Sequence, residues 1–133
     1  GLNAETCDEI LSEVINILEH TDFKPIFGIN SRAEVALVGR VSLGATDEIV
    51  NGQVDRMVVT ERDVYVIDYK TLRPVPTSAE KAPKNYLRQL ALYRALLRGV
   101  WPERVFKSAL LWTEGPVLMP ICEALLDRHT PGS

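Results

Sequence analysis

No apolar run in this 133-residue sequence approaches the ~20 residues a helix needs to span a bilayer, so no membrane segment is expected. The opening GLNAETCDE has neither a basic start nor an apolar stretch, which excludes reading it as a secretory signal. Cysteine is scarce: Cys7 and Cys122 are the only two and lie at opposite ends. Without an export signal, reduced thiols in a cytoplasmic protein are expected rather than a disulfide. Two cysteines are also too few for an iron–sulfur cluster or a four-cysteine zinc site within the chain. A G-x-x-x-x-G-K-[ST] phosphate-gripping loop is missing, so any use of ATP has to come from another region of a larger protein.

The composition is that of an ordinary globular protein, with 46% apolar and 25% charged residues. The length suits one domain with a sizeable core. The net charge of −3 is unevenly spread: residues 1–69 carry −8, residues 70–107 carry +7 and residues 108–133 carry −2. A basic segment of this kind suits a polyanionic partner. A solvated helix and loop explain the same charge equally well.

The periodicities outline a mixed α/β domain. Thr6 to Glu9 fits a capping box, and Ile10, Leu11, Val14, Ile17 and Leu18 recur at helical spacing, which predicts a helix over about 6–20. Alternation predicts strands over Glu34–Ser42, Ile49–Thr60 and Val64–Tyr69, with a bulge or turn at Gly52 and a hairpin turn at Glu61–Asp63. Pro74 and Pro76 mark a loop. Pro83 then suits the first turn of a helix that carries Tyr86, Leu90, Tyr93 and Leu97 on one stripe and stops at Gly99. A strand over Val105–Trp112 follows, so strand, helix and strand form a parallel crossover. Val117–Ile121 reads as an edge strand and Cys122–Asp127 as a short helix. The expected fold class is a mixed central sheet flanked by helices.

Three charged residues interrupt the apolar strands. Asp68 and Lys70, two apart, share one face of a strand, and Asp55 on the preceding strand can stand beside Asp68. Two carboxylates held together repel unless a cation neutralises them. Mg²⁺ takes one or two carboxylates together with water and phosphate oxygens, and the Tyr69 carbonyl offers a further oxygen. Lys70 can then position an attacking water or neutralise charge on a phosphate. A cross-strand ion pair at a sheet margin is the bland alternative for Asp-x-Lys.

Taken in order, Gly52-Gln53-Val54-Asp55-Arg56, Val66-Ile67-Asp68-Tyr69-Lys70-Thr71 and Tyr86-Leu87-Arg88-Gln89-Leu90-Ala91-Leu92-Tyr93 resemble the RecB-type nucleases of the PD-(D/E)XK superfamily. The likeness covers about Glu34 to Met119 and is greatest to the C-terminal nuclease domain of AddA, a helicase–nuclease subunit. It implies a restriction-endonuclease-like α/β core. It also implies Mg²⁺-dependent hydrolysis of DNA, with Mn²⁺ as a substitute, during ATP-dependent repair of double-strand breaks. Asp55 and Asp68 would be metal ligands, Tyr69 a ligand through its backbone carbonyl, and Lys70 the catalytic lysine. Gln89 and Tyr93 match a Q-x-x-x-Y motif that holds the DNA or orients the site. Glu34 would be an accessory acid, Arg56 and Thr71 supports for the carboxylates or phosphate contacts, and Arg88, Arg94 and Arg98 contacts to the DNA backbone. DNA and an AddB-like subunit would be the partners.

The resemblance also implies a metal-binding histidine in a G-x-x-x-H-x-x-L helix before the first strand, and that pattern is missing from the sequence. His20 lacks the flanking residues. The chain is therefore expected to be one nuclease domain over 1–133, cut from a longer helicase–nuclease, with weakened metal binding in isolation. A catalytically silent DNA-binding or docking module, and a stand-alone exonuclease of the same superfamily, are the alternatives.

Overall fold

A computed structural model describes Pro25 and residues 28–71, 73–114 and 116–132. The helix expected over 6–20, with Cys7 and His20, lies outside the described residues. Strands β1 (Arg32–Leu43) and β2 (Thr46–Val59) form a long antiparallel hairpin. Both run further than their apolar alternation predicts. The turn is tight, with Gly44 at φ 60°, which lets pairing continue to Leu43–Thr46. The polar residues there stay in strand because Ser42 Oγ donates to Asp47 Oδ1 across the hairpin at 2.9 Å. A second turn, in which Thr60 Oγ1 accepts the Asp63 N–H at 2.9 Å, leads into β3 (Asp63–Lys70).

From β3 the chain passes through a 3₁₀ turn (Ala79–Lys81) into helix α1 (Lys84–Val100), then returns as β4 (Val105–Trp112), parallel to β3. Strand β5 (Val117–Ile121) pairs antiparallel with β4 at the edge, and α2 (Glu123–Arg128) follows. The sheet order is β1-β2-β3-β4-β5. Pro120 lies on the edge strand, where its missing N–H costs no ladder bond. No described helix is long and apolar enough to cross a membrane.

The expected stop at Gly99 is corrected: α1 runs through it to Val100. Gly99 keeps helical backbone and lacks the positive φ of a capping glycine. Pro102 ends the helix instead, because the residue before a proline is driven out of helical geometry. Trp101 has φ −127° and ψ 72°.

The face of the sheet under α1 holds the larger core, with Val54, Leu87, Leu90, Leu110 and Trp112 fully buried. Val58, Tyr65, Ile67, Ala109 and Leu111 form a separate cluster on alternate strand positions, hence on the other face. Helix α2 is fastened to α1 by Arg94, whose guanidinium donates to Asp127 Oδ1 at 2.6 Å and to the Glu123 carbonyl at 3.3 Å.

Candidate active site

The β2–β3 ladder ends at the Arg56–Ile67 pair. Asp55 and Asp68 come next in register, and their carboxylates take the place of ladder bonds. Asp55 Oδ2 accepts the Tyr69 N–H at 2.7 Å, and Asp68 Oδ1 accepts the Asp55 N–H at 3.4 Å. Asp68 is only 2% exposed. Burial raises its pKa from 3.8 to about 6, against the pull of the Lys70 charge, and the Asp55 charge adds to the rise. The β2–β3 pairing thus brings together two acids that favour a shared cation.

Helix α1 supplies the opposite wall. Lys70 Nζ lies 3.4 Å from Gln89 Oε1 and 4.2 Å from the centre of the Tyr86 ring. Gln89 Nε2 donates to the Tyr93 hydroxyl at 3.0 Å. Gln89 and Tyr93 are four apart, so they lie on one helix face. The Tyr93 phenol is 2% exposed, and its pKa is raised by burial and by Asp68, against hydrogen bonds to the Gln53 backbone and Gln89. The sequence motif thus forms one hydrogen-bonded run from Lys70 through Gln89 to Tyr93, with Asp68 and Asp55 beside it.

Gly52 is neither a bulge nor a turn. It pairs regularly with Leu37, and a Cβ there would collide with the Tyr93 hydroxyl. The missing side chain makes room for Tyr93, a contact between residues 41 positions apart in sequence that local patterning does not report.

The remaining candidates lie further out. Glu34 is exposed, opposite Asp55 in the β1–β2 register. Arg56 Nη1 reaches Ser31 Oγ at 3.4 Å and also holds the Tyr69 phenol, whose pKa burial raises against that contact. Arg56 pairs with Ile67, so both side chains face away from α1. Thr71 is exposed just past β3. Arg88 is tied to Glu48 at 3.1 Å, and Arg98 to Glu123 at 3.2 Å. Arg94 is 3% exposed and spent on α2, which corrects its assignment as a backbone contact: a buried, paired guanidinium cannot reach a phosphate. Helical spacing alone placed it among the basic residues, but its partners lie about 30 positions on.

Tyr86 was read as part of the apolar stripe and as the first residue of the motif, with no role of its own at the site. The structure adds a cation–π contact to Lys70, with Trp112 behind the ring at 6.1 Å between centroids. Its position three residues before Gln89, on the same face, was the available signal.

Among the described residues, no group of three His, Cys, Asp or Glu could hold a metal. The donor set at hand is two adjoining carboxylates, one of them buried, with main-chain oxygen nearby. That set fits a hard cation that keeps water and substrate oxygens in its shell. It does not fit a metal held by soft or nitrogen ligands.

A family model described as the PD-(D/E)XK nuclease superfamily matches residues 8–117. No curated protein matches the sequence. Among solved structures, the crystal structure of SSO0001 is similar at 16% identity and a TM-score of 0.43, over 92% of this chain and 55% of that one. The chain thus spans about half the length of that structure.

Proposed function

Because the chain belongs to the PD-(D/E)XK nuclease superfamily, we propose that it is a divalent-metal-dependent nuclease domain that hydrolyses DNA phosphodiester bonds. The observation that carries this reading is the run of Asp55, Asp68, Lys70 and Gln89 along one cleft between the β2–β3 margin and α1. Asp55, Asp68 and the Tyr69 carbonyl would hold Mg²⁺ or Mn²⁺. Bound there, the metal would supply Lewis-acid activation of the phosphate and a more acidic water.

The chain's own groups supply the rest. Lys70 Nζ sits on the same strand face as Asp68 and can orient the attacking water or offset charge on the phosphate. Gln89 and the Tyr86 ring limit where the ammonium can swing, so its position is set before substrate arrives. Tyr93 fixes Gln89 in turn. Thr71 and Arg88 would meet the strand on either side of the scissile bond, Glu34 borders the site, and Arg56, on the other side of the sheet, would support it through Tyr69. The sequence motifs favour a wider setting: a nuclease domain of an AddA-like, ATP-dependent helicase–nuclease in double-strand break repair, with an AddB-like partner.

Incubating the purified chain with DNA and Mg²⁺ or Mn²⁺ tests the reading. Cleavage is expected, and Lys70→Ala should slow it by about 10²–10⁴-fold while leaving metal affinity within a few-fold. Equal cleavage by Lys70→Ala would refute its role. No cleavage with either metal, alone or within its parent complex, would favour the silent module.

A further inference from the structure

Glu34 has φ 55°, in the left-handed region that non-glycine residues rarely occupy. It stands inside β1, and it is the one position at which the β1–β2 ladder is interrupted. Ala33–Arg56 and Val35–Val54 are paired on either side, while Glu34 and Asp55, opposite each other, are not. The interruption changes which way the side chains point. In a regular strand, residues two apart share a face. Here Val54 and Met57, three apart, belong to the same core. On β1, Arg32 and Val35, also three apart, line one cavity with Met57 and Val59. Both strands therefore switch faces at the Glu34–Asp55 step, and the register is the same before and after.

That switch bears directly on Asp55. A regular β2 that buried Val50 and Val54 under α1 would turn Asp55 to the far side of the sheet, away from Asp68 and Lys70. The observed β2 keeps Val50 and Val54 buried and still presents the Asp55 carboxylate to the Tyr69 N–H at 2.7 Å. Local strain of this kind persists where the surroundings hold it, and commonly lies beside functional groups.

We propose that Glu34 is a positioning residue that acts through its left-handed backbone, which turns Asp55 into the cleft, and that its carboxylate is dispensable. This revises the accessory-acid expectation. The catalytic part of the inference rests on the proposed role of Asp55, but the geometry does not, so the test reads both separately.

The experiment compares Glu34→Gly and Glu34→Asn, which accept a positive φ without the carboxylate, with Glu34→Val, which does not accept it. Glu34→Ala serves as a milder variant should Glu34→Val fail to fold. The first readout is hydrogen exchange of the Tyr69 amide in metal-free protein, since that N–H is the donor to Asp55. Glu34→Gly and Glu34→Asn should keep wild-type protection within about threefold, while Glu34→Val, or Glu34→Ala to a lesser degree, exchanges at least tenfold faster. The second readout is Mn²⁺ affinity, which should follow the same order. Loss of protection in Glu34→Gly, or wild-type protection in both Glu34→Val and Glu34→Ala, would overturn the backbone role. Intact amide protection in Glu34→Gly with tenfold weaker Mn²⁺ binding would overturn the dispensable carboxylate. The exchange result stands or falls independently of whether the chain cleaves DNA.

Discussion

Asp68 and Arg94 are the two charged side chains buried among the described residues, at 2% and 3% exposure. Arg94 meets a carboxylate at 2.6 Å and a carbonyl at 3.3 Å, so the fold itself neutralises it. Asp68 has a single long hydrogen bond from a backbone N–H, a second carboxylate beside it, and a lysine whose ammonium is engaged by Gln89 and Tyr86. Its pKa rises to about 6, first because it is buried and further because Asp55 stands beside it, against the pull of Lys70. A buried charge that its own chain pairs, as here even with Arg94 Nε left without an acceptor, points to structure. One that burial leaves with a raised pKa, with a second carboxylate beside it, suits a cation.

The contrast can be broken at either end. The largest effect is expected from Arg94→Ala, which removes the buried guanidinium that fastens α2 to α1. Chemical denaturation should show a loss of about 2–4 kcal/mol, low in the range for buried pairs because Asp127 is itself exposed. Metal affinity should stay unchanged. Asp68→Asn should do the reverse. An asparagine keeps the acceptor for the Asp55 N–H and removes the buried charge, so metal-free protein at pH 8 should gain about 1–3 kcal/mol while metal binding disappears.

The sign follows from the raised pKa. In metal-free wild type, the stability that protonated Asp68 provides is fully present below about pH 4. It is lost as pH rises through about 6. Asp68→Asn should flatten that slope, and denaturation midpoints measured between pH 4 and 8 would show it. The smallest effect is expected at Gly52. Gly52→Ala pushes the Tyr93 hydroxyl off Gln89 and should cost about 1 kcal/mol, read from thermal melts. Cleavage should fall more than the modest loss of stability explains.

The same two residues show what the sequence could and could not reveal. The order of elements and the crossover were readable because period-2 alternation, turn residues and a helical stripe are local features, and β4 and β5 begin and end where that patterning puts them. The adjacency of Asp55 and Asp68 followed from a short turn between two strands. Arg94 was misread because its partners arrive from α2, across the strand pair β4–β5. Gly52 was misread because its reason is Tyr93, on another element. Glu34 gave no signal at all, since a left-handed glutamate looks like any other glutamate in a strand. Helix α1 passed through Gly99 because packing along Leu90, Tyr93 and Leu97 outweighs one glycine's propensity of ~1 kcal/mol.

The most direct test of the cation site is a Mn²⁺ titration of the wild-type chain and Asp68→Ala, followed by calorimetry. The account predicts saturable binding to wild type and none to Asp68→Ala. Equal binding by the two proteins would contradict the assignment of Asp55 and Asp68 as the metal's seat.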